Sequence, residues 1–221
     1  MIALVVLKYI CVVFVGYIIG NISFARILSK FKKMDITTQG SGNPGTMNML
    51  RTFGFKLGLL TLILDAFKGA LGAGFGLLAF GGDMQSATCI IGLYVGGLST
   101  VLGHNFPIFY NFKGGKGVAC ILGIFAVANP LWSAVAFAIA LVYLCIFDYG
   151  AMASFIFITV VTVFEATRYT GNLPITFLLF ALFFLTFFMH RKNITRLLWG
   201  KERKVNLAKA FKKKKQTKEK T

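Results

Sequence analysis

The sequence predicts an all-α integral membrane protein of about seven transmembrane helices, its N-terminus outside and its C-terminus in the cytoplasm. Three observations carry this expectation. Of the 221 residues, 57% are hydrophobic and the mean hydropathy is +0.74, whereas soluble domains are about 45–50% apolar. Only 14% are charged, against roughly 25% in soluble domains, and those charges stand mostly outside the long apolar stretches. Finally, the net charge of +17 is uneven, with more than half of the lysines and arginines lying between His190 and Thr221. Basic residues that flank apolar spans set topology. Nucleic-acid binding would call for a folded polar surface or aromatic platforms instead, so no nucleic-acid partner is expected; the partner surface is the lipid bilayer.

The elements follow in order. Ala3–Ile27 is long enough to span a bilayer. It has only Lys8 as an n-region charge and no small-residue cleavage site after it, so it reads as a retained first helix rather than a signal peptide. The polar stretch Ser29–Asn48 follows, then a second span over Leu57–Phe80 and a third over Ala87–Leu102. Asn105–Gly117 is again polar and glycine-rich. Breaks at Asn129-Pro130 and Asp148-Tyr149-Gly150 divide the next apolar region into Val118–Ala128, Leu131–Phe147 and Ala151–Phe164, and Pro174–Met189 supplies the last span. Five or six spans result if the short ones are re-entrant. One polytopic domain is expected over residues 1–200, with a basic, disordered cytoplasmic tail over 201–221.

Orientation comes from the flanks. Arg26, Lys30, Lys32, Lys33, Arg51 and Lys56 surround the first polar segment, Lys113 and Lys116 mark the second, and the basic tail follows the last span. With seven spans all three fall on one side, which the positive-inside rule makes cytoplasmic. The opposite loops hold Asp83, Glu165 and Arg168. Cys11, Cys89, Cys120 and Cys145 sit in apolar stretches without a CxxC pair or a nearby histidine pattern, so no metal site is expected.

Three segments on that face carry chemistry. Gly40-Ser41-Gly42-Asn43-Pro44-Gly45-Thr46-Met47-Asn48, with Arg51 behind it, offers backbone N–H groups that can nest an anion and a guanidinium that can grip a phosphate. Phe112-Lys113-Gly114-Gly115-Lys116-Gly117 is a flexible cationic loop, and it is not a Walker A loop because Tyr110 and Gly117 replace the required glycine and Ser/Thr. His190 and Asn193 share a helix face at i, i+3 spacing. Glu202, among basic residues, reads as a structural ion-pair partner. Taken singly, the three also read as a flexible loop, a glycine hinge with topology-setting lysines, and a structural interfacial histidine. Asp65 and Lys68, three apart within the second span, either pair with each other or serve function.

At these residues the chain resembles the bacterial acyl-phosphate:glycerol-3-phosphate acyltransferase family. Gly40 to Asn48 with Arg51 is similar to a first motif G-S-G-N-x-G-A-T-N-x-x-R, with Thr46-Met47 standing where the family has Ala-Thr. Gly103 to Ala119 is similar to G-H-x-F-P followed by F-K-G-G-K-G-V-A, and His190 to Glu202 to H-x-x-N-I-x-R-L followed by G-x-E. Asp65, Lys68 and Gly69 match D-x-x-K-G. Of R-Y-x-S-x-x-S, only Tyr149 and Ser154 are kept, and Ser154 is a further candidate.

The resemblance implies a membrane enzyme of phospholipid biosynthesis. It would move an acyl chain from acyl phosphate to the 1-hydroxyl of glycerol 3-phosphate, giving lysophosphatidic acid and phosphate. It also implies no cofactor, and functional coupling to an enzyme that makes acyl phosphate. The His-x4-Asp of CoA-type enzymes is absent, since Phe109 and Thr195 stand at the Asp positions. On this reading Ser41, Asn43 and Arg51 help hold the acyl phosphate. Lys113, Gly114, Gly115, Lys116 and Gly117 hold glycerol 3-phosphate, with Gly40, Gly42 and Asn48 contributing to phosphate binding. His190 and Asn193 position the acceptor hydroxyl, and the proton goes to His190 or to a donor phosphate oxygen. A small-anion transporter or a tail-based lipid scaffold would share the basic inner face. A transporter site, however, belongs near the midplane rather than in loops on one side.

Overall fold

The computed structural model describes residues 2–207, whose regular structure is all helical, with no strand among them. Residues 208–221, which include the expected basic run Lys212–Lys215, lie outside the described residues. Ten α-helices run α1 (Ile2–Asn21), α2 (Phe24–Lys30), α3 (Thr46–Phe53), α4 (Phe55–Ala79), α5 (Ala87–Asn105), α6 (Val118–Ala128), α7 (Pro130–Phe147), α8 (Gly150–Arg168), α9 (Leu173–Met189) and α10 (Arg191–Leu198). A helix coincides with each of the seven apolar segments read from the sequence. Five helical stretches are long and apolar enough to cross a bilayer, or six when α9 and α10, bent by 59°, are taken as one. The short member is α6, whose 11 residues reach only about 16 Å, against a hydrocarbon core of about 30 Å. The molecule is a multi-pass membrane protein.

Its surface shows the same solvent logic. Ile2, Phe14, Leu78 and Phe177 are among many large apolar side chains on the outside, while Asp65, Lys68, Glu165 and His190 are buried. Apolar groups outside and polar groups inside is the arrangement that lipid favours, because each polar atom must find its partner within the protein.

α5 is the central strut. Helices α1 and α4 approach it so closely that glycine is required along both seams. A β-carbon on Gly76 would lie 2.0 Å from the Gly92 carbonyl oxygen, and one on Gly103 would lie 2.1 Å from that of Tyr17. α6 meets α4 the same way, where a β-carbon on Gly123 would stand 1.8 Å from the Ala66 oxygen. Small residues let backbones touch, and in lipid that packing replaces the hydrophobic drive.

Polar clamps complete the bundle. The pairing expected from the Asp65–Lys68 spacing is made, at 3.3 Å. The Lys68 ammonium also donates to the carbonyl oxygens of Gly20 (3.0 Å) and Ile22 (2.5 Å), at the break between α1 and α2. Towards the other end of α5, the buried Glu165 carboxylate accepts from Tyr94 Oη (2.9 Å) and Asn129 Nδ2 (3.0 Å), with Arg168 3.7 Å away. This fixes the junction of α6 and α7.

Gly123→Val should therefore drive α6 off α4 and lower the thermal midpoint by about 6 °C or more. Gly74→Ala, where an added β-carbon meets nothing within 4 Å, should leave it unchanged. Thermal unfolding of the two variants in detergent makes the comparison.

Candidate active site

The first glycine segment is organised by Asn48. Its amide donates to the carbonyl oxygens of Ile36 (3.2 Å) and Gln39 (2.9 Å), and its Oδ1 accepts from Ser41 N–H (2.9 Å). Asn48 thus builds the loop from beneath, with its side chain fully engaged. Gly40 and Gly42 lie at φ +57° and +72°, the left-handed region that glycine enters without strain. Ser41 remains exposed at the crest, its Oγ accepting from Asn43 N–H at 3.4 Å.

The second segment is bound to the end of α5. Gly114 N–H donates to Asn105 O (3.2 Å) and Gly115 N–H to His104 O (3.1 Å), so these two amides hold the loop down. A β-carbon on Gly115 would sit 2.1 Å from His104 Nε2. On its other side, His104 Nδ1 lies 3.7 Å from Asp65. Gly117, at φ +81°, turns the chain into α6. The two lysines of the loop diverge: Lys116 points into the bundle and Lys113 lies exposed on the wall of a cleft.

The third segment bends at its histidine. α9 ends at Met189, and His190 caps it at the bend into α10. His190 O still accepts from the N–H groups of Asn193 (2.7 Å) and Ile194 (2.9 Å), which keeps the predicted face together. His190 Nδ1 lies 2.8 Å from Thr186 O, and its ring packs edge-on against Phe155. A carbonyl can only accept, so Nδ1 carries the proton and Nε2 offers a lone pair when the ring is neutral. Burial and the Lys116 ammonium push the His190 pKa down to about 3.

The three segments meet in one partly buried polar cluster. Lys116 Nζ donates to Asn193 Oδ1, Asn193 Nδ2 to Glu202 Oε1 (2.7 Å), and Arg196 Nε to Glu202 Oε2 (3.0 Å). Glu202 stands as the ion-pair partner expected of it. Burial lowers the Lys116 pKa to about 8, with Glu202 opposing and Arg196 and Arg51 adding to the shift. Arg51 is held by the carbonyl oxygens of Lys204 (3.2 Å) and Arg203 (3.0 Å), and Arg203 donates to Gly40 O (2.7 Å). Residues 201–207, assigned to the tail by sequence, thus run back across the site. Val205 and Leu207 dock there on Asp148, through its carbonyl oxygen and its Oδ1.

Not every candidate joins the cluster. The Ser154 hydroxyl donates to Gly150 O within α8 (2.8 Å), and Lys113 and Gly42 line a separate cleft with Arg26. Arg26 and Arg203 were legible in the sequence only as topology-setting charge, whereas Arg196 stands at the arginine of the third motif. Cys120, set aside because no histidine is near it in sequence, comes within 4.8 Å of Asp65 and His104. The Lys68 ammonium already shares that carboxylate, which disfavours a cation there.

A lipid-embedded bundle with a loop-built cationic site at one end has close relatives. The sequence model of the glycerol-3-phosphate acyltransferase family matches residues 10–200. A glycerol-3-phosphate acyltransferase of Aquifex aeolicus is 36% identical over 198 residues, covering 89% of this chain and 98% of the relative. Glycerol-3-phosphate acyltransferase 2 of Thermotoga maritima is 39% identical over 197 residues, covering 88% and 95%. Among solved structures, the glycerol 3-phosphate form of PlsY, an integral membrane glycerol 3-phosphate acyltransferase, superposes with a TM-score of 0.80 at 33% identity, covering 89% of this chain and 94% of that one. Its lysophosphatidic acid form gives 0.79 at 32% identity, covering 92% and 98%. A match that takes in all three motif segments and nearly the full length of each relative leaves one assignment: this chain belongs to the glycerol-3-phosphate acyltransferase family.

Proposed function

We propose that the protein transfers a fatty acyl group from acyl phosphate to the 1-hydroxyl of glycerol 3-phosphate, releasing lysophosphatidic acid and phosphate. The observation that carries this is the Lys116–Asn193–Glu202–Arg196 cluster beside His190 and Arg51, a cationic constellation with a single carboxylate. Two phosphates approach each other in this reaction, and fixed positive groups offset their repulsion. The relatives named above are glycerol-3-phosphate acyltransferases, and one PlsY structure holds glycerol 3-phosphate.

The chemistry is one displacement. The acceptor hydroxyl oxygen attacks the acyl carbon, and the bond from that carbon to the phosphate oxygen breaks. Lys116 and Arg51 stabilise the charge that collects on the leaving phosphate, with Ser41 and Asn43 holding it at the loop crest. His190 Nε2 accepts a hydrogen bond from the hydroxyl, and Asn193, locked between Lys116 and Glu202, orients it. With a pKa near 3, His190 is too weak a base to keep the proton, which passes to an oxygen of the departing phosphate. No covalent acyl-enzyme is needed, because acyl phosphate is already activated.

On this reading the seven apolar helices all cross the membrane, α6 as a short crossing supported by α4. The N-terminus lies outside, and the site faces the cytoplasm with the basic flanks. An enzyme that makes acyl phosphate then supplies the donor on the same side.

Purified protein given palmitoyl phosphate and glycerol 3-phosphate should release phosphate only when both are present, with lysophosphatidic acid formed. Release without the acceptor, or none from folded protein, refutes the assignment. Lys116 holds its charge below pH 8 and loses it above, so kcat/KM should fall with rising pH through about 8. Lys116→Arg should lower activity yet remove that alkaline limb. His190→Ala should cut kcat while leaving the shape of the pH profile between 5 and 9 unchanged, and a lost acidic or basic limb would restore histidine as the base. Glu202→Gln, which removes the negative charge that Asn193 and Arg196 donate to, should lower kcat/KM by about tenfold.

A further inference from the structure

A cleft of about 490 Å³ opens between the first glycine segment and the glycine–lysine loop, and none of Arg51, Lys116, His190 or Asn193 lines it. Two cations do, Arg26 and Lys113, together with Thr37, Gly42, Tyr110 and Asn111. Arg26 is held rigidly. Its Nη2 donates to Lys113 O (2.8 Å), and its guanidinium lies 4.6 Å from the centre of the Tyr110 ring. Yet its Nε is buried without any hydrogen-bond partner. An unpaired buried donor is destabilising, and an anion held beside the guanidinium would offset that cost electrostatically.

Among the described residues this pair has no ion-pair partner, although the Asp35 carboxylate feels the Arg26 charge. Among the described residues no carboxylate lies within 4 Å of Arg26 or Lys113. Asp35, the acidic group nearest in sequence, spends both oxygens on the N–H and hydroxyl of Thr37, each at 2.8 Å. The Lys113 ammonium and the Asn111 amide make no hydrogen bond within the described residues, so both remain free to donate. A planar guanidinium, an exposed ammonium and a primary amide around one cleft are donors of the kind that recognise a phosphate. The cleft also has room for a glyceryl group and water beside it.

We propose that this cleft is a second phosphate site, taking a phosphomonoester or free phosphate dianion outside the Lys116–Asn193 cluster, with Arg26 as its anchor. The proposal rests on the acyltransferase reading only for which dianion arrives there: the acceptor on its way in or the phosphate on its way out.

The test is equilibrium binding of labelled glycerol 3-phosphate and of labelled inorganic phosphate to the full-length protein in detergent, with no acyl donor. Wild type is compared with Arg26→Gln, Arg26→Lys and Lys113→Gln. The affinity for one dianion should fall by about tenfold in Arg26→Gln and in Lys113→Gln, and Arg26→Lys should recover part of it. A loss confined to glycerol 3-phosphate makes the cleft the acceptor's dock; a loss confined to inorganic phosphate makes it the exit site. The Lys113 side chain makes no hydrogen bond within the described residues, so affinities for both dianions within twofold of wild type in Lys113→Gln overturn the proposal even if Arg26→Gln fails to fold. Turnover measured alongside separates the two readings. A wild type that binds but does not turn over sinks the acyltransferase and leaves the cleft. Normal turnover with unaltered binding in Lys113→Gln sinks the cleft and leaves the enzyme.

Discussion

The Lys68 ammonium, 1% exposed inside a membrane helix, imposes conditions that much of the structure meets. An intramembrane charge is costly unless the protein supplies its partners. One is Asp65, a turn earlier on α4; the other two are backbone carbonyl oxygens, at Gly20 and Ile22. A carbonyl is left without a helical partner only where helical hydrogen bonding stops, so the break between α1 and α2 is where the lysine finds its acceptors. That break starts the short helix α2, which carries Arg26 to the cleft. The same carboxylate lies against His104, whose ring and carbonyl bed the glycine–lysine loop. One buried ion pair thereby sets the positions of two loops that hold no charge of their own in the membrane.

The site itself is biased by composition. Glu202 faces Lys116, Arg51, Arg196 and Arg203, and it accepts from Asn193 and Arg196 instead of taking a proton from substrate. Its work is to make a cationic cluster foldable: without it the like charges would repel at close range in a poorly hydrated setting. It does so without cancelling the field that two phosphates require.

Much of this was legible in the sequence. The seven apolar segments became helices, and the three polar segments came together because each flanks a helix end on the same face. The residues that misled are informative. Asn48, Gly114 and Gly115 look like anion donors on paper, yet their hydrogen-bonding groups are spent on the loops' own architecture. Spacing reveals which groups a loop contains, not which remain free. Glycines four apart, such as Gly16 with Gly20, Gly72 with Gly76 and Gly92 with Gly96, are the sequence signal of the α1–α5–α4 seams. Asp148 had no such signal. Its role as a dock for residues 205–207 depends on a contact almost 60 positions away in the chain, which no local pattern encodes.

The divergence of Lys113 and Lys116 follows from the same distinction. Three residues apart in a glycine loop, they look like one phosphate clamp, and a free loop could close both around one ligand. This loop is not free: the N–H groups of Gly114 and Gly115, lying between the lysines, are tied to the last carbonyls of α5. Anchoring the centre of the loop sends its two ends to different places, one lysine to Asn193 and the other towards Arg26. A reaction between two phosphorylated molecules has use for two cationic positions at a fixed separation. Here the separation is set by two backbone hydrogen bonds rather than by the reach of a flexible side chain.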